Sequence, residues 1–309
     1  MFKSINQICD SVKHSSNSIV MAVVCSENET ILQAVKMAKD DGVIIPMLFG
    51  KKNKIHNLLM EMDINIGEYH IIDCSTPEEA AILAVKAARE ESAHIILKGN
   101  IHTSTLMKAV LDSDTGIKES KCLTNICILE IPKYRKLLTI ADGAILIQPT
   151  IEEKADMITS ITKKMHHMGY KEVKVALLAA SEEVSEKQPE TIEAAILTEM
   201  YRNNEFPKYA IVDGPLSFDL SVDMNSVKNK GYIGSVAGDA DLIIAHNIVV
   251  ANSIVKAIRI FAGAESASLV LGAKAPIILT SRGASIKSKY LSILVAAATV
   301  GKSNFPGNK

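Results

Sequence analysis

The chain of 309 residues has no C-x-x-C pair, and its five cysteines (Cys9, Cys25, Cys74, Cys122 and Cys127) are scattered without a clustered histidine. That spacing excludes a disulfide framework and a zinc site, and it reads as a cytosolic protein. Net charge is scarce too, since 34 Lys plus Arg against 35 Asp plus Glu leave −1. No field of one sign would gather nucleic acid or anionic lipid, so any anion site has to be local. Long apolar runs are also missing. The N-terminal MFKSINQICDSVKH lacks the apolar core of a signal peptide, and the stretch 291–300, interrupted by Ser292, is far too short to span a bilayer. No membrane role follows. Neither G-x-x-x-x-G-K-[ST] nor a G-x-G-x-x-G after the first strand occurs, which leaves kinase and dehydrogenase readings poorly supported. Internal repeats and low-complexity segments are absent as well.

What is present is alternation. Apolar, β-rich runs at 19–24, 43–49, 70–72 and 95–97 are each followed by a helical pattern, at 29–39, 53–62, 77–91 and 103–111. Ser26 and Asn28 are cap candidates for the first helix, and Thr76-Pro77-Glu78-Glu79 is a capping box with proline at the first helical position. Fully apolar strands alternating with helices predict a parallel sheet covered on both faces. The rhythm changes at 124–131 and 137–140, which are close enough to pair as a hairpin, so the sheets are expected to be mixed and largely parallel. Helix 152–167 then reopens the βα order, which runs through 173–178, 191–201, 210–212, 242–245 and 250–261. At this length two α/β domains are the expectation, one of residues 1–146 with 276–309 and the other of 147–275. The stretch 223–238, with Gly231, Gly234 and Gly238, reads as a functional loop or a domain crossing.

In open α/β sheets ligands bind outside the carboxyl ends of strands, which singles out four places. Lys98-Gly99-Asn100 follows one strand and leads to Thr103, read as a helix cap, with Lys108 about a turn further on. Asp213-Gly214-Pro215-Leu216 follows a second, either a sharp turn that exposes a carboxylate or an ordinary Asp-Gly turn. His246-Asn247 ends a third, and Asn252 and Lys256 lie on the helix that opens there. Thr280-Ser281-Arg282-Gly283 closes the strand 277–279, and Ser285 can cap the helix behind it. A strand, a turn and a helix start put hydroxyls, unpaired N–H groups and a guanidinium fork at one point, which suits an oxyanion. Spacing alone leaves open whether Arg282 serves that site or pairs with a surface carboxylate. His94, His102 and His246 are each alone and are assigned no catalytic part. Asp239 and Asp241 are read as solvated turn carboxylates in preference to metal ligands.

Taken jointly, these stretches resemble the phosphate acetyl/butyryltransferase family, closest to its phosphate butyryltransferase branch. The resemblance rests on Leu97-Lys98-Gly99 with Thr103 and Lys108, Asp142 with Pro149, Asp213-Gly214-Pro215-Leu216, Val236-Ala237-Gly238-Asp239-Ala240-Asp241, Asn252 with Lys256, and Thr280-Ser281-Arg282, over nearly the whole chain. It implies a two-domain fold similar to isocitrate dehydrogenase, with acyl-CoA, inorganic phosphate and acyl phosphate in the interdomain cleft of a homodimer or larger homo-oligomer. The implied reaction is reversible, acyl-CoA plus phosphate giving acyl phosphate plus CoA, with a butyryl or similar group preferred. Ser281 and Arg282 would be the catalytic pair, and no metal or cofactor is implied beyond coenzyme A as substrate. Lys98, Gly99, Thr103, Lys108, Asn252, Lys256 and Ser288 are expected to bind substrate, and Asp213 to shape the cleft. Ser288 stands where acetyl-transferring members carry an aspartate, and Ala251, His246, Val249 and Ala284 also depart from the usual residues. The alternatives are a phosphate acetyltransferase and a catalytically weak CoA-binding regulatory homologue.

Overall fold

The computed structural model describes residues 2–13, 19–280 and 283–300. The chain divides into two compact units, one of residues 6–119 and 267–300, called the outer unit, and one of 2–5 and 120–266, called the central unit. The divisions fall at 119/120 and 266/267, where sequence reading places them at 146/147 and 275/276. Strand pairing accounts for the earlier break: the hairpin after residue 120 is bonded to strands of the central unit, so it cannot stay with the residues before it.

The outer unit opens with α1 (Ile5–Lys13) and then alternates β1 (Val20–Val24), α2 (Glu29–Asp40), β2 (Ile45–Gly50), α3 (Lys52–Glu61), β3 (His70–Asp73), α4 (Pro77–Arg89), β4 (Ile95–Lys98) and α5 (Thr103–Val110). Caps start the helices where the sequence places them. The Asn28 side chain accepts from the Ile31 N–H at 3.1 Å, and Thr76 Oγ1 accepts from Glu79 N–H at 3.1 Å. Each such cap is worth ~1 kcal/mol.

The central unit holds β5 (Thr124–Glu130), β6 (Leu138–Ala141), α6 (Ile151–His167), β7 (Val173–Leu178), α7 (Pro189–Arg202), β8 (Ala210–Leu216), α8 (Phe218–Val222), α9 (Met224–Lys230), β9 (Leu242–Ile244) and α10 (Ile248–Phe261). The chain then supplies β10 (Glu265–Leu271), β11 (Ile277–Ile278) and α11 (Ile286–Val300). In the outer unit the strand order is β3-β2-β1-β4-β11-β10, parallel up to β11, with β10 antiparallel to it. In the central unit it is β5-β6-β9-β7-β8, in which only the β5–β6 hairpin is antiparallel. Both sets of strands are thus mixed and mostly parallel.

Helices on both faces bury these strands, and the apolar runs become core: Met21 to Val24 and Ile95 to Leu97 are fully buried, as are Leu129, Leu138, Ile140, Ala176 and Ile243 in the central unit. Each buried Leu or Ile contributes roughly 1.5–3 kcal/mol. Part of the stretch 223–238 is not loop but α9, ended by Gly231 in the left-handed conformation (φ 63°) that glycine adopts without strain. Among the described residues no helix is long and apolar enough to cross a membrane.

Candidate active site

In the outer unit β1, β4 and β11 run parallel, with Val24 opposite Lys98 and Ile278 opposite Leu97, so their carboxyl ends share one edge. A cavity of about 170 Å³ opens there, and Asn28, Lys98, Gly99, Asn100, Thr280 and Lys289 are among the residues that line it. The backbone is tight. Gly99 N–H donates to Val24 O at 2.8 Å and Asn100 N–H to Cys25 O at 2.7 Å, and a Cβ on residue 99 would lie 2.2 Å from that Cys25 oxygen. Only glycine fits such an approach. Lys98, 8% exposed, ends β4 and donates from Nζ to Gly99 O at 3.4 Å.

Lys289, which sequence reading passed over, is 4% exposed on the first turn of α11, and its ammonium donates to the Ala284 carbonyl. Burial holds its pKa below the usual lysine value. The sequence signal was there to find, because Lys289 lies two residues before Leu291 and three after Ile286 in a helix whose residues 291–299 are all buried.

Ser281 and Arg282 lie outside the described residues. On either side of them, β11 stops at Ile278, and Ser285 Oγ accepts from Ser288 N–H at 3.1 Å, capping α11. Ser288 is half-buried, and its carbonyl accepts from Ser292 Oγ at 2.8 Å.

One local expectation for the outer unit fails, and a second candidate lies apart from the cavity. Thr103 is not the cap of α5; His102 holds that position with extended backbone (φ −66°, ψ 139°), and Thr103 is the exposed first helical residue. Lys108 is exposed in the last turn of α5 and does not line the cavity. Five residues along a helix is nearly a turn and a half, which carries the side chain away from the helix start.

In the central unit Asn247 caps α10, accepting from Val250 N–H at 3.1 Å. One helical turn apart on α10 stand Asn252, whose amide donates to Gly143 O at 2.9 Å, and Lys256, which is exposed. Asp213 is not in a turn. Asp213 to Leu216 continue β8, where Ala176 pairs with Asp213 and Leu178 with Leu216 across a register shift. Asp213 is half-buried, with Oδ2 accepting from Val236 N–H at 3.5 Å; its carboxylate holds the segment around Gly234, where a Cβ would come within 2.3 Å of that oxygen.

Asp239 and Asp241 are not free turn carboxylates: Asp241 is fully buried, Asp239 is half-buried, and both are ion-paired. The Lys136 ammonium, 3% exposed, lies 2.6 Å from Asp239 Oδ1 and 2.8 Å from Asp241 Oδ1. Lys174 Nζ lies 2.9 Å from Asp239 Oδ2, and its N–H donates to Asp241 Oδ2 at 2.8 Å. This cluster ties the residues before β6 to the start of β9 and to β7. Burial pushes the Asp241 carboxyl above its usual value against the pull of Lys136. For Asp239 burial acts the same way, but the bonds to Lys136 and Lys174 outweigh it and hold the carboxyl below the usual value.

His246 is not alone either: its Nδ1 is 3.1 Å from Glu193 Oε2 and its Nε2 is 3.0 Å from the Gln148 amide nitrogen, while Lys154 also bonds Glu193. The amide donating to Nε2 puts the ring proton on Nδ1, toward the carboxylate. The space beside this chain is about 10 Å³, which leaves room for no more than one water. Among the described residues no three His, Cys, Asp or Glu are grouped to hold a metal ion.

A parallel-sheet edge with buried cations and a glycine forced by its neighbours is a place where an α/β protein can hold a small anion. Comparison with known proteins narrows the reading. The profile of the family described as phosphate acetyl/butaryl transferase matches residues 75–297. A phosphate acetyltransferase of Thermotoga maritima is 39% identical over 277 residues, 90% of this chain and 94% of that one. A probable phosphate butyryltransferase of Bacillus subtilis is 36% identical, over 92% and 93% of the two chains. The crystal structure of a branched-chain phosphotransacylase from Enterococcus faecalis superposes with a TM-score of 0.82 at 28% identity, over 92% of this chain and all (100%) of that one. The chain belongs to the phosphate acetyl/butyryltransferase family.

Proposed function

We propose that the protein transfers a butyryl or similar short acyl group reversibly between CoA and inorganic phosphate, with Ser281 and Arg282 as the catalytic pair. The observation that carries this reading is the cavity at the carboxyl ends of β1, β4 and β11, lined by Lys98 and Thr280 immediately before Ser281. In one direction the CoA thiolate attacks the acyl carbonyl, the new C–S bond forms, and the C–O bond to phosphate breaks with its electron pair leaving on phosphate. In the other, a phosphate oxygen attacks the thioester and the thiolate leaves. Both directions develop negative charge on the carbonyl oxygen and on the phosphoryl group. The chemistry therefore asks for an oxyanion donor and a phosphate clamp, roles that fall to Ser281 and Arg282, with orientation supplied by the bound substrates. Asn252 and Lys256 on α10 are assigned to CoA or phosphate, Asp213 to holding its neighbouring segment, and the protein to a homodimer or larger homo-oligomer.

Acetyl transfer is the second reading, favoured by the 39% identity to a phosphate acetyltransferase. Release of free thiol from acetyl-, propionyl-, butyryl- and isobutyryl-CoA with phosphate separates the two. Each methylene buried in an apolar pocket contributes about 0.8 kcal/mol, so the four-carbon substrates should lead. A clear lead for acetyl-CoA removes the butyryl assignment, and no turnover on any of the four leaves only a CoA-binding protein.

A further inference from the structure

We propose that Lys289 is the second cation of a phosphoryl-dianion site in the outer-unit cavity, where it and Lys98 close on the same phosphoryl group. The proposal deepens the acyltransferase reading and rests on it for the source of the group, though not for the binding itself. Lys289 occupies the inward face of α11, and the neighbouring buried positions of that helix are Leu291, Ser292, Ile293 and Leu294. A lysine in such a place is costly: the effective penalty for removing an ammonium from water is several kcal/mol unless a counter-charge offsets it. Among the described residues its ammonium bonds only the Ala284 carbonyl, a neutral acceptor. Lys98, from β4, lines the same cavity and is almost as buried.

Two cations share the space, and among the described residues no carboxylate lines it. Glu27, close in sequence, is turned elsewhere, its Oε1 accepting from Lys51 N–H at 2.6 Å. Among the remaining polar lining groups the Asn100 amide and the Thr280 hydroxyl can donate, while the Thr30 hydroxyl already donates to Asn28 Oδ1 at 2.9 Å. Asn28, at the start of the 12-residue α2, brings the positive end of that helix to the same wall. A cavity of about 170 Å³ exceeds several times the ~30 Å³ share of one water, so it has room for a tetrahedral anion. A phosphoryl group offers three or more acceptor oxygens to these donors where a carboxylate offers two, and its charge supplies the counter-charge that Lys289 lacks.

That dianion can be inorganic or acyl phosphate, or a phosphate of CoA, and the two sources are separable. Inorganic phosphate is titrated into the full chain by calorimetry, in wild type, Lys289→Met and Lys289→Gln, with thermal unfolding recorded for each. Steady-state KM values are taken for phosphate, and in the reverse direction for CoA and dephospho-CoA. Removal of the ammonium should weaken phosphate binding tenfold or more and raise KM for phosphate alike, while Lys289→Met unfolds no earlier than wild type. A loss confined to CoA and absent with dephospho-CoA keeps the proposal and assigns the dianion to the CoA phosphate. Unchanged affinity for both ligands, or earlier unfolding with unchanged affinity, makes Lys289 a cap for the Ala284 carbonyl and overturns it. Should Lys289→Met not fold, Lys289→Gln decides on the same readings. Weakened phosphate binding in a wild-type background that releases no thiol from any acyl-CoA would leave the anion site standing and the acyltransferase reading fallen.

Discussion

The two units each bury lysines, and they treat them oppositely. In the central unit Lys136 and Lys174 meet Asp239 and Asp241 at 2.6 to 2.9 Å, and Asp241 has no exposure at all (0%). In the outer unit Lys98 and Lys289 face a cavity that, among the described residues, no carboxylate lines. A buried cation matched by a buried anion is complete within the protein and pins one chain segment to another. Lys289, bonded to a neutral carbonyl, is incomplete until something anionic arrives. The same residue type at similar burial thus reads as architecture in one place and as a site in the other, and the counter-charge is what tells them apart.

The contrast breaks most visibly at Lys136. Lys136→Ala leaves the fully buried Asp241 without its ammonium, and breaking such a pair typically costs about 3–5 kcal/mol. Urea unfolding should show that loss, whereas Lys289→Met should show none. Equal losses in both variants would erase the distinction. Next comes Arg282→Ala. If it stabilises developing charge, the loss is ~3 kcal/mol in the barrier, about a hundredfold in kcat, with unfolding unchanged. Arg282→Lys should rescue poorly because an ammonium lacks the bidentate fork, and near wild-type turnover in either variant would end that assignment.

A smaller effect is expected at Gly99→Ala. Its Cβ would lie 2.2 Å from the Cys25 carbonyl oxygen, so β1 and β4 must shift apart at the cavity. Overpacking of this sort costs roughly 1–3 kcal/mol, and KM for phosphate should rise with it. A stable variant with unchanged KM would mean that the strand ends are not held as tightly as this.

The central cluster also predicts an acid response. The Asp239 carboxyl is raised by burial but held below its usual value by Lys136 and Lys174 together, so its ionised form favours the folded state. That stability is present above the unfolded carboxylate pKa and is lost as pH falls through the lower folded value. Asp239→Asn should lack this part of the acid limb in a pH series of thermal unfolding, and an acid limb identical to wild type counts against it.

The smallest effect belongs to Ser288. With no carboxylate there, kcat/KM for CoA should keep rising with pH toward the thiol pKa of about 8.5, and Ser288→Ala should change little. A flat profile from pH ~6 to ~8 with chemistry rate-limiting would call for another base, with His246 the first residue to replace.

Much of the fold was legible because each element carried a local signature. Apolar strand runs, the caps at Asn28 and Thr76, and the short link between β5 and β6 all follow from chemistry within a few residues. What escaped lacked that signature. β10 (ESASLVL) alternates small serines with apolar residues and gives a weak strand pattern, and α9 sits among glycines that read as loop. Asp239 and Asp241 looked like turn residues because their partner Lys136 is about a hundred positions away. His246 looked solitary because Glu193 and Gln148 come from other elements.

The sequence by itself determined the alternation of strands and helices, the strand ends at which ligands gather, and the family, since motifs in fixed order survive without knowledge of contacts. Only the tertiary structure decided which charges are satisfied. Lys136 and Lys289 are indistinguishable in a string of letters, and burial with or without a carboxylate is a property of chain segments brought together from far apart. Desolvation makes that difference large, and so the assignment of Lys289 to an anion site had to wait for the fold.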